Sequence, residues 1–331
     1  MNKHIQCLAA AAMALALPFV ACGGGGSKNN PDPVPGPGGG GTVYVAGSAP
    51  EGDTYRATLW KDGSAQRLSD NPSSANSVLV SSDDVYIAGM DGGKAVLWKN
   101  GAVLWRLSDI TSAAYSVAVS GGDVYVAGYE RENDNDPNDL TSQQAILWKN
   151  GTRQRLGGGN SLSDSVHVSP SGDVYAVSTE GGENLRAILW KNGTPSILGN
   201  KHRTRWVYAS GNAVYVAGEE YDGAMVPRAT LWENGNARGL GSNNSIALSV
   251  FASGGNVYAA GYERSGSTNY ATLWKNGTAQ RLSDTPSSTR SVFVSGGDVY
   301  VAGMDNGKAV LWKNGAPQSL GNGSAVSVFV K

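Results

Sequence analysis

Residues 298–316 read DVYVAGMDNGKAVLWKNGA, and residues 84–102 read DVYIAGMDGGKAVLWKNGA. The match extends without a gap from Ala57–Ala102 to Ala271–Ala316, with ten differences over 46 residues. Two stretches this similar and this far apart indicate that the chain is built from copies of one unit. A repeat period of roughly 20–50 residues is typical of solenoids and propellers.

The repeated unit occurs seven times. A Val-Tyr dipeptide marks each copy, at intervals of 39 to 50 residues, and begins at Val43, Val85, Val124, Val174, Val214, Val257 and Val299. A Leu-Trp dipeptide follows in each copy, with its indole at Trp60, Trp98, Trp148, Trp190, Trp232, Trp274 and Trp312. Because these tryptophans recur at one position of every copy, we expect them to pack in the core rather than to stack on a sugar.

Each copy predicts four short strands. The segments Ser-Val-x-Val, Val-Tyr-Val-Ala-Gly, Ala-Thr-Leu-Trp-Lys and Gln-Arg-Leu are mostly rich in β-branched and aromatic residues and are bounded by Gly, Asn, Asp or Ser. An Asn-Gly or Asp-Gly pair separates the third strand from the fourth, and this pair accepts the positive φ of a tight hairpin turn. A four-stranded unit of this length, repeated, is typical of a β-propeller blade.

The two ends of the repeat region complement each other. The region starts at a second strand, Val43–Gly47, and ends after a first strand, Ser327–Val330. Pairing these two segments would complete the seventh blade and remove two exposed sheet edges. The sequence therefore predicts an all-β protein in which residues 43–331 form a single seven-bladed β-propeller of four-stranded antiparallel blades, closed by its N- and C-terminal strands.

The repeat resembles a known family. The order Ala-x-Leu-Trp-x-Asn-Gly, then Leu-Gly or Leu-Ser, then Ser-Val and Val-Tyr-Val-Ala-Gly is similar to the bacterial extracellular repeats named for a His-Ala-Phe (HAF) tripeptide. The resemblance covers nearly all of residues 43–331. The residue before Ala varies here, and Thr, Val or Ile stands in place of Phe. The resemblance implies a secreted protein and does not imply an activity.

The first 21 residues have the composition of a secretory signal peptide. Lys3 supplies a positive charge, residues 5–17 are mostly apolar, and Phe19-Val20-Ala21-Cys22 ends the segment. The apolar stretch is shorter than the roughly 20 residues that a membrane span needs. The tetrapeptide resembles the bacterial lipoprotein box, which implies cleavage before Cys22 and attachment of lipid to its thiol.

The segment that follows the cleavage site predicts a tether. Residues 22–42 contain little besides Gly, Pro, Asn, Asp and Ser, so they are expected to stay flexible. The other cysteine, Cys7, leaves with the signal peptide, so the mature chain cannot form an internal disulfide. Gly23 follows Cys22, which by resemblance to bacterial sorting patterns implies the outer membrane. We expect a lipid-anchored protein that faces the periplasm or the cell surface and meets the membrane through its lipid only.

Binding residues are expected where the copies differ. The loops between the second and third strands vary in length, and the loop before each first strand varies in sequence. The residue just before Ser-Val-x-Val should lie at one mouth of the axial channel, and it is Asn76, Tyr115, Asp164, Arg205, Leu248, Arg290 or Val326. The ligand-binding candidates are Asn76, Tyr115, Asp164, Arg205 and Arg290, because amide, phenol, acid and guanidinium groups suit a polar ligand. The alternative is that they are merely solvated loop ends. As binding residues they are also expected to sit at loop ends outside the packed blades, so replacing them should change stability by no more than about 0.5 kcal/mol.

One unit departs from the others. Residues 199–206 form a basic cluster, and Trp206 stands where the other copies have Ser. This cluster could meet an anionic group. The favoured interpretation is that it is a solvated loop or pairs with the acidic insertion at residues 130–139. The insertion lacks the Gly and the terminal Glu of an EF-hand loop, so calcium binding is weakly supported. If the channel mouth proves empty, the outer loops, beginning with residues 129–144, are the next candidates.

Residues that carry out chemistry are scarce. The mature chain keeps only His167 and His202, so no metal and no cofactor are predicted, and His167 is expected to pack in the channel. The 26 Lys and Arg against 27 Asp and Glu give no charge bias toward nucleic acid. The sequence favours a monomeric, surface-tethered binding module for a glycan or a protein ligand. The alternative is a secreted hydrolase or lyase that uses His167 or channel-mouth carboxylates such as Asp164, Glu219 and Glu220.

Overall fold

The computed structural model describes residues 41–132, 142–181 and 185–331, and these residues form β-strands joined by turns and short loops. No helix in this part of the chain is long and apolar enough to cross a membrane. The strands of the first three blades are β28 (Ser324–Val330), β1 (Val43–Glu51), β2 (Thr54–Lys61) and β3 (Ser64–Arg67) in blade 1; β4 (Ser73–Ser81), β5 (Asp84–Asp91), β6 (Lys94–Lys99) and β7 (Ala102–Arg106) in blade 2; and β8 (Ser112–Ser120), β9 (Asp123–Arg131), β10 (Gln143–Lys149) and β11 (Thr152–Gly159) in blade 3.

The remaining four blades follow in chain order. Their strands are β12 (Ser161–Val168), β13 (Val174–Glu180), β14 (Arg186–Lys191) and β15 (Thr194–Asn200) in blade 4; β16 (His202–Ser210), β17 (Ala213–Tyr221), β18 (Pro227–Glu233) and β19 (Asn236–Asn243) in blade 5; β20 (Ser245–Ser253), β21 (Asn256–Ser265), β22 (Thr268–Lys275) and β23 (Thr278–Arg281) in blade 6; and β24 (Ser287–Ser295), β25 (Asp298–Asp305), β26 (Lys308–Lys313) and β27 (Ala316–Asn322) in blade 7.

The ring closes as the sequence predicts. Each blade is an antiparallel sheet whose strands lie in chain order from the inner to the outer strand, except that blade 1 takes its inner strand, β28, from the C-terminus. Val43 pairs with Val330, and Val45 pairs with Val328. The predicted seven-bladed, all-β propeller is confirmed.

The Asn-Gly turns shape the blades at their outer edge. The first residue of each turn has φ between 50° and 53°, a left-handed value that Asn and Asp adopt more readily than other non-Gly residues. In every blade the side-chain oxygen of this residue also accepts the N–H of the valine that begins Val-Tyr, as Asn100 does from Val85 at 2.8 Å. The turn between the outer strands thus fixes the start of the second strand.

The core lies between the blades. The buried apolar residues fall into seven clusters, and each cluster combines side chains from adjacent blades. Six of the repeated tryptophans are at most 1% exposed, as the sequence predicts. The seventh, Trp190, is only partly buried and donates from Nε1 to Ser178 Oγ at 2.8 Å. Burial between blades explains why Leu and Trp can stand side by side in every copy.

Serines connect the inner strands around the channel. In six of the seven inner strands, the Ser of Ser-Val-x-Val accepts the backbone N–H of a valine on the next inner strand at 3.1–3.3 Å, as Ser77 does from Val117. Blade 5 is the exception because Trp206 stands in place of the Ser, and its ring packs against the cluster between blades 5 and 6. The regular ring is therefore altered at one blade.

Candidate functional site

A β-bulge interrupts the inner strand of every blade. The extra residue of the bulge is Asn76, Tyr115, Asp164, Arg205, Leu248, Arg290 or Val326. The sequence placed these residues just before the inner strands, and this detail is wrong because the strands begin two or three residues earlier. A bulge bends its strand and re-aims one side chain, so the repeat carries a built-in position for a variable residue.

Four of the five predicted site residues lie close enough to affect one another's ionisation. The charges of Asp164 and Arg205 act on the phenol of Tyr115, and the charge of Arg205 acts on Arg290. Tyr115, Arg205 and Arg290 belong to blades 3, 5 and 7, which are not neighbours, so these interactions cross the axial channel. The fifth residue, Asn76, donates from Nδ2 to Ala114 O at 2.8 Å, and its amide is used within the scaffold.

We name this group of side chains the polar mouth. It consists of Tyr115, Tyr129, Asp164, Arg203, Arg205, Glu219, Tyr221, Tyr262 and Arg290. These residues come from blades 3 to 7, whereas the bulge residue of blade 1, Val326, is apolar. The polar mouth therefore draws on five of the seven blades.

Arg205 is held by an ion pair inside blade 5. Its Nη2 and Nε donate to the two carboxylate oxygens of Glu219 at 2.7 and 3.1 Å, and Tyr221 Oη donates to the same carboxylate at 3.1 Å. Arg205 is 9% exposed, and Glu219 is fully buried. Although burial acts to lower the pKa of Arg205, the carboxylate of Glu219 raises it above its usual value. Arg205 is therefore not a loop end, and the reason for expecting its replacement to change stability by so little does not hold.

The basic cluster at 199–206 finds its partners within its own blade. Arg205 pairs with Glu219, and His202 Nε2 lies 3.6 Å from Glu220. At the start of the acidic insertion, Glu130 and Glu132 instead contact Arg153 of blade 3. The remaining insertion residues fall within 133–141, outside the residues that the structure describes. Calcium binding by the insertion therefore stays a matter of sequence alone. The predicted pairing of the cluster with residues 130–132 is not observed.

Asp164 and Arg203 keep unused hydrogen-bonding capacity. Oδ2 of Asp164 and Nε of Arg203 are both buried, and neither has a hydrogen-bond partner among the described residues. Burial raises the pKa of Asp164 to about 7, even though the charges of Arg203 and Arg205 act to lower it. Arg203 is 5% exposed, and its register partner Glu219 is already occupied by Arg205 and Tyr221. Buried polar atoms normally have partners. The indole N–H groups of five repeated tryptophans between the blades also lack one, so what distinguishes the mouth is that its two unpartnered atoms belong to ionisable groups beside the channel.

Arg290 lacks a neutralising neighbour. Its ionisable neighbours are Arg205, which repels it, and the phenol of Tyr262. Burial and the charge of Arg205 lower the pKa of Arg290 from its usual value. Among the described residues, no carboxylate acts on this guanidinium.

Tyrosine rings border the charged groups. The rings of Tyr115 and Tyr129 lie 5.8 Å apart. Burial raises the pKa of Tyr115, Tyr221 and Tyr262, so each phenol stays neutral and can donate a hydrogen bond. Flat rings beside charged donors are a common arrangement in sites for polar ligands.

Sequence reasoning missed part of the polar mouth. Arg203 was noticed only as one of several basic residues, and Tyr129, Tyr221 and Tyr262 were not predicted. Tyr129, Glu219 and Tyr262 share one sequence signal: each follows Ala-Gly in the second strand of its blade. This position varies between the copies, which carry Ser48, Met90, Tyr129, Thr179, Glu219, Tyr262 and Met304 there. A search for the variable positions of the repeat would have found them.

The other end of the channel carries an aromatic collar, which consists of His167, Tyr208, Phe251, Phe293 and Phe329. Each ring lies 4.5–4.8 Å from the next. Nε2 of His167 lies 3.1 Å from Ala209 O, and burial lowers its pKa to about 4. His167 thus packs in the channel, as the sequence predicts, and it stays neutral near pH 7.

Other places on the surface are weaker candidates. Two shallow depressions, of about 350 and 180 Å³, lie at the repeated turns on the opposite face from the polar mouth. Their walls come largely from turns that recur in other blades, so they do not mark a unique site. Among the described residues, no group of three or more His, Cys, Asp or Glu side chains could hold a metal ion. Cys22 lies outside the described residues.

Comparisons with known proteins give the fold and no activity. No family model and no curated protein matches the chain. Among solved structures, it resembles a Mycobacterium tuberculosis puromycin-hydrolyzing peptidase, with a TM-score of 0.54, 12% identity and coverage of 84% of this chain and 53% of that one. A Pyrococcus horikoshii acylaminoacyl peptidase gives a TM-score of 0.50 at 14% identity, with coverage of 85% and 50%.

A third solved structure has a different description. The extracellular domain of a putative hybrid two component system from B. thetaiotaomicron gives a TM-score of 0.50 at 11% identity, with coverage of 86% of this chain and 38% of that one. The chain thus spans about half, or less, of the length of the structures it matches. At these identities the likeness shows the β-propeller fold alone.

Proposed function

We propose that the protein is a surface-tethered binding module and that the polar mouth is its ligand site, for a glycan or a protein ligand. One observation carries this proposal: charged side chains from several blades meet across the channel with unused hydrogen-bonding capacity. Oδ2 of Asp164 and Nε of Arg203 are buried without partners among the described residues, and no carboxylate in that part of the chain acts on Arg290.

Burial of unpaired charge destabilises a protein unless something compensates. A buried polar atom without a hydrogen bond costs about 1–3 kcal/mol, and more if it is charged. The scaffold does not need a charge at the bulge, because blade 2 places the neutral Asn76 at the position that Arg290 occupies in blade 7. A ligand that supplies the missing partners would explain why these charged side chains lie in the mouth.

The tether belongs to the same proposal. Lipid attachment at Cys22, a flexible segment over residues 22–42 and placement at the outer membrane are supported by the N-terminal sequence. Several acyl chains on one cysteine would hold the protein firmly, whereas a single chain binds only marginally. In cells fed a labelled fatty acid, the parent protein should carry label and Cys22→Ala should not. Equal labelling of both proteins would rule out this anchor.

The binding proposal is tested with an array of glycans and cell-envelope proteins. The purified protein should bind at least one member, and Arg290→Asn should weaken that binding about tenfold or more. Arg238→Asn is the matched control, because Arg238 is an exposed arginine on β19 outside the polar mouth. A ligand that binds both variants as tightly as the parent would move the site away from the mouth.

A second candidate function is a hydrolase that acts at the same mouth. The observation that favours it is the carboxyl group of Asp164, whose pKa of about 7 lets it hold a proton near neutral pH. A general acid works best when its pKa lies near the working pH. The test is a screen of glycoside and peptide substrates, in which Asp164→Asn should abolish any turnover. Turnover that survives in this variant would rule out Asp164 as the acid.

A further inference from the structure

The charges of the polar mouth do not balance. The three guanidinium groups are those of Arg203, Arg205 and Arg290, and the two carboxyl groups are those of Asp164 and Glu219. Arg205 and Glu219 neutralise each other through two hydrogen bonds. Arg203 therefore faces a single carboxyl group, that of Asp164, which is partly protonated at neutral pH because its pKa is about 7. Among the described residues, no carboxyl group acts on Arg290. The mouth has room for one more negative charge.

The ion pair of blade 5 decides which arginines can meet that charge. Arg205 donates two of its N–H groups to Glu219, which fixes it as a positioning residue rather than a ligand contact. Nε of Arg203 is buried without a partner in the described part of the chain, and Arg290 is repelled by Arg205. Arg203 and Arg290 are thus the groups that gain most from an anion. A guanidinium presents parallel N–H donors that match the two oxygens of a carboxylate.

Asp164 places a second demand on the ligand. Its buried Oδ2 is an acceptor without a donor, so a ligand must bring an O–H or N–H group to satisfy it. Sulfate carries no hydrogen-bond donor, so it would leave Oδ2 of Asp164 without a partner. A neutral sugar could satisfy Asp164 but would leave Arg203 and Arg290 without a counter-charge. A cationic ligand would be repelled by both arginines.

We propose that the polar mouth binds a sugar acid, whose carboxylate contacts Arg203 and Arg290 and whose hydroxyl group donates to Asp164. This inference rests on the proposed function and narrows it to one class of ligand. The flat faces of a pyranose ring can stack on an aromatic ring, and Tyr115 lies beside Asp164 on the border of the mouth. Neutral phenols can add hydrogen bonds to further hydroxyls.

The test compares three small probes by ligand-observed NMR titration of the purified protein. D-glucuronate carries both a carboxylate and hydroxyls, D-glucose carries hydroxyls only, and acetate carries a carboxylate only. We expect glucuronate to bind at least tenfold more tightly than either of the others. Arg290→Asn should lose this preference, and Arg238→Asn should keep it. Because blade 2 already carries Asn at the equivalent position, Arg290→Asn should fold.

Each other outcome overturns the inference. If glucose binds as well as glucuronate, the anion contact is wrong, and if acetate does, the hydroxyl contact is wrong. If none of the three binds, the sugar-acid assignment is wrong. The proposed function fails separately, when a ligand found on the array binds Arg290→Asn as tightly as the parent protein. A neutral glycan or a protein that loses binding in Arg290→Asn would keep the binding module and remove the sugar acid.

Discussion

The two ends of the axial channel are built from the same inner strands, three residues apart, and they differ in whether their contacts are complete. In blade 5, Arg205 belongs to the polar mouth and Tyr208 to the aromatic collar, and in blade 7, Arg290 and Phe293 play the same parts. The collar rings stack on one another at 4.5–4.8 Å. The mouth holds buried atoms without partners among the described residues. The collar is thus part of the scaffold, whereas the mouth is the proposed ligand site.

Blades 2 and 7 allow the difference between the mouth and the collar to be tested by substitution. They belong to the stretches that match at all but ten of 46 positions, and two of the ten differences fall in the channel. Asn76 in blade 2 corresponds to Arg290 in blade 7, and Leu79 corresponds to Phe293. The chain therefore already contains a nearly identical blade with a neutral residue at the mouth and an aliphatic residue at the collar. Asn and Leu are thus suitable replacements for Arg290 and Phe293.

Opening the ring should have the largest effect, because both ends of the channel depend on it. Deletion of residues 324–331 removes β28 and the pairing of Val43 with Val330. We expect a loss of about 5 kcal/mol or more in the free energy of unfolding, with aggregation through the exposed edges. Thermal unfolding and light scattering measure both effects. Deletion of Lys331 alone, at the exposed C-terminus, is the control, and a truncated protein that melts like this control would contradict ring closure.

Breaking the ion pair of blade 5 should have the next largest effect. Glu219→Gln leaves the guanidinium of Arg205 buried beside a neutral amide, and the loss of one partner of a buried ion pair typically costs about 3–5 kcal/mol. Glu220→Gln is the control, because Glu220 is partly exposed and its contact to Arg228 is 3.5 Å long. We expect this control to cost less than about 1 kcal/mol in urea unfolding. Equal costs for the two variants would show that Arg205 and Glu219 are not coupled.

Removing a collar ring should weaken the scaffold and leave the mouth intact. Phe251 lies 4.5 Å from Tyr208 and 4.7 Å from Phe293, so Phe251→Ala removes two ring contacts and part of the buried apolar surface. Because Phe251 is only partly buried, we expect a cost of about 2 kcal/mol, below that of a fully buried phenylalanine. Urea unfolding measures this cost, and ligand affinity should not change. A fall in affinity without a fall in stability would place the ligand at the collar.

The stability contribution of Asp164 should depend on pH. Its pKa is about 7 in the folded protein and 3.8 for an ordinary aspartate, so the folded state binds more protons than the unfolded state between these values. Asp164 therefore lowers stability as pH rises from about 4 to 7, and the full cost is present above pH 7. Asp164→Asn should stabilise the ligand-free protein at pH 8 by up to about 4 kcal/mol, since each pKa unit corresponds to about 1.4 kcal/mol, and it should change little at pH 4. An equal effect at both pH values, in urea unfolding, would contradict the burial of an ionisable Asp164.

The fold could be predicted from the sequence because the same blade unit, with its turns and its buried Trp, occurs seven times. The sequence could also show which positions vary between the copies, as Asn76 and Arg290 do, and the structure brings four of the five candidate residues together. The bulge could not, since nothing in the order of residues shows that Arg205 is an extra residue of a strand. Its pairing with Glu219 follows from that bulge and from the register of two strands. For the same reason Arg203, which has the unpartnered Nε, was not distinguished from its basic neighbours.

The central claim is that the polar mouth binds the ligand and that the aromatic collar stabilises the fold. Two substitutions on β24 test this claim most directly. Arg290→Asn and Phe293→Leu each introduce the residue that blade 2 carries at the equivalent position. For each variant, urea unfolding and affinity for the tightest ligand from the array are measured together. We predict that Arg290→Asn does not lower stability, because it removes a charge that burial and Arg205 disfavour, and that it weakens binding about tenfold or more. Phe293→Leu should cost about 1 kcal/mol of stability and leave binding unchanged. The reverse pattern, with binding lost in Phe293→Leu and kept in Arg290→Asn, would contradict the account.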